Sequence, residues 1–550
     1  MRLRFPRPKR LLTLALLAAA VAAGIWWLGV IPYDPLAIYR PVPASATVVG
    51  RHLALPERWG DLLANPLALA LMRTAGVDPD EAAALADDAE SRKWFDKLAG
   101  REGVLAYLPG RFGAPPAWMA VSHLGGESQK LRWQLSLFDV PGFDRLTQFP
   151  GRSVWRVDSP DLDPRQHLVI AFGEGVLMAC LSENLYAMAE VLGAYDGSVR
   201  RLLDAELSFK RLAGSDDRSV PDRFWLRDES EWAADGAPGI RVDVTALRGD
   251  AIALQAATEG LEPVPELRPQ AQAELGGLAE RLGHAPCAVF RFRREALEEL
   301  VLQPGLQRDT AFALRRILDV AGDEVVVALM DGDLGGRLAW GAMRTLGLSG
   351  LRVPTVLLAT PAPDAAEAHA GIQRILDAAN ARYKGAFILR PVTAGAATLQ
   401  ALESAGGNEW VDELAPSDRP AYAVADGWLL AASNRDALQK LLRGAAPAST
   451  PPPWAAGGES AAALTGWLDL ARSGKVARDA IATWSMAQVF IGGSSSQAAR
   501  ERLNEVKAWV EAFVPFGEAR GSLRRRAGES VLSVDLGLSA GNPPARISSP

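Results

Sequence analysis

This 550-residue chain carries the residue types that do acid-base, nucleophilic and metal chemistry, but not at the spacings such chemistry needs. Its five histidines, His52, His123, His167, His284 and His369, are scattered, and no pair sits four apart beside a glutamate. A helical zinc protease needs that pair to put two imidazoles and a general base on one face. Cys180 and Cys287 are the only cysteines and lie too far apart for a Cys-x-x-Cys zinc knuckle. Ser128, Ser460 and Ser530 each follow Gly-Glu, yet Lys130, Ala462 and Leu532 stand where a nucleophile elbow needs its second glycine. Asp331-Gly-Asp333-Leu-Gly-Gly336 opens like a calcium loop, but the third oxygen ligand is missing and Ala342 occupies the place of the bidentate glutamate. A hairpin turn is expected there. No P-loop and no Gly-x-Gly-x-x-Gly after a strand is present to cradle phosphate.

Asp78-Pro-Asp-Glu81 and Asp87-Asp-Ala-Glu90 read as the solvated face of a helix rather than as paired acid-base groups. The 16 tryptophans suit core packing, since large rings dominate core energetics, with a sugar-binding platform as the alternative. The sequence therefore nominates no catalytic, cofactor-binding or metal-ligating residue. Enzymatic action would require a site assembled from dispersed residues, for instance between domains.

What could position such residues is clearer. The composition, 49% apolar and 23% charged, is that of folded protein, and 550 residues call for more than one core. A net charge of -6 with no long basic run beyond residue 10 argues against a nucleic-acid binder. Cys180 and Cys287 each lie in an apolar run, so buried thiols are expected rather than a disulfide.

Five basic side chains in residues 1–10 precede an uncharged stretch from Leu11 to Ile31, long enough to cross a bilayer as one helix. Retention of the basic side fixes the N-terminus in the cytoplasm and sends everything after it outward. Trp26, Trp27 and Tyr33 suit the outer headgroup region. The expectation is an uncleaved, single-pass signal anchor in a bacterial inner membrane, with the lipid bilayer as partner through residues 11–31 and the bulk periplasmic.

Beyond a juxtamembrane linker at 32–43, internal similarity predicts two α+β modules of antiparallel sheet with packed helices, 44–260 and 284–540, joined by a Pro-containing connector at 261–283. Ala99–Gly125 aligns without gaps on Ala321–Gly347, with 12 of 27 positions identical, including Trp118 and Trp340. Both copies read as β-hairpins, with Gly110 and Gly332 at the turn. Leu168–Leu192 pairs with Tyr422–Leu442, each a hairpin turning at Gly175 or Gly427 before a helix opened by Ser182 or Ser433. A third pair joins the hairpins around Gly249 and Gly528. The second module adds a Pro/Gly-rich loop at 444–460 and extra helices over about 476–514, where Ala499, Leu503, Val506, Val510 and Phe513 form an apolar face. Residues 541–550 read as a disordered tail.

His52-Leu-Ala-Leu-Pro56, Asp61-Leu-Leu-Ala-Asn-Pro66-Leu and Ala285-Pro-Cys-Ala-Val resemble the uncharacterised YfaA-like family of bacterial single-pass envelope proteins. The resemblance implies a periplasmic protein of unknown function associated with an α2-macroglobulin-like system, and it transfers no catalytic residue. The residues themselves favour a non-enzymatic binding or structural module that presents a sheet edge or cleft to another envelope protein, with an inter-module enzyme or a carbohydrate-binding protein as alternatives.

Overall fold

The computed structural model describes residues 31–74, 77–110, 113–149, 151–160, 162–214, 218–227, 239–259, 275–302, 308–331, 336–338, 351–382, 387–395, 397–405, 414–443, 452–455, 462–491, 497–526 and 529–537, with 16, 17 and 19. Among the described residues no helix is long and apolar enough to cross a membrane. The stretch 11–31 lies outside them except for Leu16, Leu17 and Ala19, which are helical, and Ile31. Residues 1–10, most of the connector and the tail 541–550 also lie outside.

The fold is α+β and is dominated by a 20-stranded antiparallel sheet. The first half contributes β1 (Val48–Leu53), β2 (Glu102–Leu108), β3 (Ala117–His123), β4 (Phe143–Arg145), β5 (Val154–Val157), β6 (His167–Phe172), β7 (Val176–Ser182), β8 (Asp222–Leu226), β9 (Ile240–Arg248) and β10 (Ala251–Glu259). The second contributes β11 (Pro286–Arg293), β12 (Glu324–Met330), β13 (Gly336–Leu338), β14 (Leu351–Val353), β15 (Thr355–Pro361), β16 (Phe387–Ala394), β17 (Ala397–Ser404), β18 (Ala421–Ala425), β19 (Trp428–Ala432), β20 (Ala462–Asp469), β21 (Glu518–Arg526) and β22 (Glu529–Leu536). Pairing in the first half runs β4-β5-β6-β7-β3-β2-β1-β8-β9-β10. In the second it runs β16-β17-β18-β19-β15-β12-β11-β20-β21-β22, the same order. The last strands, β10 and β22, pair with each other and fuse the halves. When the hairpin residues Ala251 and Glu529 are matched, Gln255 corresponds to Ser533, and these two face each other across the seam, where a two-fold axis would pass.

The matched registers revise the sequence alignment. Leu108 faces Ala117 as Met330 faces Thr355, so the counterpart of β3 is β15 and not residues 339–345. The hairpin β13–β14, a separate two-stranded sheet, intervenes. Trp118 thus corresponds to Val356, and Trp340 and Gly332 lie outside the described residues. The tryptophans that do recur are Trp225 and Trp467, opposite Val49 and Val289. At the first turn it is Gly113, at φ 81°, and not Gly110, that takes positive φ. A Cβ on Gly110 would instead meet the Ala114 carbonyl.

Side chains alternate across the strands, and one sheet face carries both main cores. In the first half Val104, Ala106, Met119, Val121, Met178 and Trp225 pack under the helices Ala187–Asp196 and Leu207–Ala213. In the second, Val326, Ala328, Leu357, Ala423 and Trp467 pack under Gly276–Leu282 and Arg435–Arg443. On the other face a third cluster covers the seam, with Val244, Ile252 and Leu536 beneath Leu67, Leu470, Trp509 and Phe513 from three helices.

Several local expectations change. Residues 32–43, read as a linker, are packed, with Ile38 and Tyr39 each 1% exposed and Val42 fully buried in the first core. The extra helices begin at Leu470, earlier than expected. Val506 is 50% exposed, so the last helix buries a face centred on Trp509 and Phe513 instead. Trp454, inside the Pro/Gly loop, is buried and donates to the Gly283 carbonyl at 2.8 Å. Neither serine caps a helix: Ser182 Oγ donates to the Pro116 carbonyl, while Asn434 Oδ1 accepts from Ala437 N at 2.9 Å, one residue past Ser433. Asn is as good a cap as Ser.

Candidate functional site

Antiparallel register places residues of neighbouring strands directly opposite one another, and one such row is polar across eight consecutive strands. It reads Arg51 (β1), Arg223 (β8), Asp243 (β9), Gln255 (β10), Ser533 (β22), Ser522 (β21), Thr465 (β20) and Arg291 (β11). Glu102 on β2 and Glu324 on β12 stand diagonally beyond its two ends. All ten lie on the face that carries the two cores.

Charges can stay in such a place only if they are paired, because desolvating an ion costs several kcal/mol. Arg223 Nε meets Asp243 Oδ1 at 2.7 Å, Arg291 forms an ion pair with Glu324, and Arg51 donates to the Val220 carbonyl at 2.7 Å. Arg51, Arg223, Asp243, Arg291, Glu102 and Glu324 are all buried, whereas Gln255 is exposed and Ser533, Ser522 and Thr465 are half-buried. The row is therefore closed at its ends and open at the seam, where the ion pair of Arg241 with Glu529 at 3.3 Å borders it. Chemically it offers hydrogen-bond donors and acceptors on a rigid floor, with no nucleophile set against a base.

The arginine–glutamate ends are the same in both halves, Arg51 matching Arg291 and Glu102 matching Glu324. The rest diverges. Arg223 and Asp243 correspond to Thr465 and Ser522. On the opposite face, His52 Nδ1 lies 2.8 Å from Asp222 Oδ1, and Arg58 hydrogen-bonds the same carboxylate while donating to the Leu53 carbonyl. Burial works to raise the Asp222 carboxyl, but the hydrogen bonds from His52 and Arg58 outweigh it and hold it below its usual range. The second half has Phe292 and Leu464 at those positions.

A second group lies where the chain enters the first half. Tyr33 Oη donates to Glu102 Oε2 at 2.7 Å and accepts from Arg218 at 2.9 Å, and its ring lies 4.8 Å from that of His123. Burial and then the Arg101 charge push His123 below the ordinary imidazole value, against the pull of Glu102. His369, in the other half, bonds Tyr422 at 3.0 Å.

The structure brings together few of the residues that the sequence singled out. Of the histidines, His52 meets Asp222, His123 packs against Tyr33 and His369 bonds Tyr422. Asp331 pairs with Arg472, while 332–335 lie outside the described residues. Asp78 and Asp88 each cap a helix, accepting from Asp80 N at 2.9 Å and Ser91 N at 2.7 Å, so the two acidic runs open separate helices. Cys180 and Cys287 are free buried thiols, and burial pushes Cys180 up to about 12. Trp155 and Trp225 are fully buried, whereas Trp94 and Trp133 are exposed on different helices. Sequence reading missed the row itself. Its signal was a charge at an inward position of an apolar strand, as in Val48-Val-Gly-Arg51 and Cys287-Ala-Val-Phe-Arg291. No protein-family model, curated protein or solved structure matches the chain.

Proposed function

We propose that the chain is a membrane-tethered, non-catalytic binding module of the bacterial envelope, made of two copies of one α+β unit joined edge to edge, with residues 11–31 as its anchor. The observation that carries this reading is the polar row, closed by buried charges at both ends and open where Gln255 and Ser533 meet. A floor of fixed donors and acceptors without a reactive group suits recognition of an extracytoplasmic protein better than turnover. The experiment is photo-crosslinking in intact cells from position 255, with position 390 on the outer strand β16 as control. One dominant protein adduct at 255 that is absent at 390 supports the reading. Equal labelling at both, or no adduct at 255, refutes it.

A second reading, an enzyme with a dispersed site, is favoured by one observation. The His52–Asp222–Arg58 cluster exists only in the first half, its counterparts being apolar. A histidine oriented by a buried carboxylate can act as a base. Loss of any detected hydrolytic activity in His52→Gln, with unchanged crosslinking at 255, would separate the two readings.

A further inference from the structure

We infer that the first half of the protein stands directly on the outer leaflet of the bilayer that holds residues 11–31, on the strand ends formed by Leu124–Gly126 and Gly173–Gly175, with no slack between anchor and fold. This rests on the anchor reading above and adds to it the surface that meets lipid. The argument begins at Ile31, the last residue of the uncharged stretch. Its Cγ2 lies 3.2 Å from where a Cβ on Gly175 would be, so the chain is already packed against the turn between β6 and β7 as the stretch ends. Two residues later Tyr33 is bound to Glu102 and Arg218. Ala37, Ile38, Tyr39, Val42 and Ala46 then run through the first core at 4% exposure or less.

A chain advances at most about 3.5 Å per residue, so Tyr33 is within about 7 Å of Ile31. The headgroup layer on each side of a bilayer is about 5–8 Å deep, the difference between the full and the hydrocarbon thickness. Tyr33 and the side chains that bind it therefore fall at headgroup depth, where Tyr is favoured. The guanidiniums at this end, Arg218 on Tyr33 and Arg101 beside Gly125, suit phosphate groups. The β7 strand leads away from the turn, and Glu183 just past its far end is eight residues on from Gly175, about 26 Å at 3.3 Å per residue.

The test uses the full chain in liposomes containing headgroup-nitroxide lipid, with a fluorophore on Glu174→Cys or on Glu183→Cys. Both positions are exposed, and the native thiols are buried and do not compete for label. Strong quenching at 174 with little at 183 is the expected result. If the protein resists alkaline extraction but 174 is unquenched, or both positions are quenched alike, the direct seating is overturned while the anchor stands. If alkali extracts the protein, the anchor reading itself fails and takes the seating with it.

Discussion

Asn65 ties the helices that cover the seam to the turn between β9 and β10, and its removal has a cost that can be worked out from its bonds. Pro66 keeps the residue before it out of the α region, so Asn65 is extended, at φ -90° and ψ 120°, and ends one helix while opening the next, Pro66–Thr74. Its side chain is fully buried. Oδ1 accepts from Leu67 N at 3.1 Å and Ala68 N at 3.2 Å, and Nδ2 donates to the Arg248 carbonyl at 2.7 Å in the β9–β10 turn. Asn65→Ala removes a cap, costing about 1 kcal/mol, and a part-buried hydrogen bond to the Arg248 carbonyl, costing about 0.5–1.5 kcal/mol. The total is about 1.5–2.5 kcal/mol. Asn65→Asp keeps the acceptor and loses only the donor, so it should cost less than alanine. A chain with several cores has no single unfolding free energy, so the assay is native-state amide exchange, which reads local opening. At about 1.4 kcal/mol per decade, exchange at Leu67, Ala68 and the 248–251 turn should quicken roughly 10- to 60-fold in the alanine variant. Less than about a threefold change, or an aspartate variant as disturbed as alanine, would refute the reasoning.

Other outcomes follow from single contacts. Gly50 faces Phe224 so closely that an added Cβ would lie 2.9 Å from its ring, and the second half inverts the pair, with Phe290 facing Gly466. Gly50→Ala should lower the melting temperature by a cost of about 1–3 kcal/mol, whereas Gly50→Phe with Phe224→Gly should restore most of what Gly50→Phe loses; no restoration means that the positions are not equivalent. Arg291→Met alone should cost about 3–5 kcal/mol by stranding Glu324, while Arg291→Met with Glu324→Leu should be near neutral in the same melts. His123 titrates below its unfolded value, so the folded state favours the neutral ring; the stability this gives is complete above about pH 6.5 and is lost as pH falls through the lower folded value. His123→Phe should flatten that part of the stability profile between pH 7 and 5. Cys180, pushed up to about 12 and buried, should resist thiol reagents until denaturant is added.

Much of this fold can be read from local pattern, because apolar alternation and hairpin glycines act within a few residues. Gly175 and Gly427, at φ 77° and 75°, turn the two hairpins as expected. The repeat was legible wherever it was ungapped: Glu102 and Glu324 differ by 222, the alignment offset. Ala117 and Thr355 differ by 238, and those 16 extra residues hold the inserted hairpin, so a gapless match carried past it onto Trp340. The polar row was not legible for a different reason. Its members come from eight strands spread between residues 51 and 533, and only the register puts them in line.

The differences between the halves locate what the first half does that the second does not. A buried arginine and glutamate recur at matched positions, Arg51 and Glu102 in one half and Arg291 and Glu324 in the other. Among the described residues the first half adds Arg223–Asp243 on one face and His52–Asp222–Arg58 on the other. Replacing buried ions by Thr465, Ser522, Phe292 and Leu464 leaves the second half with the same strand order, so the sheet does not need those charges to form. Buried ions contribute little net stability, so these pairs are not what holds the first half together.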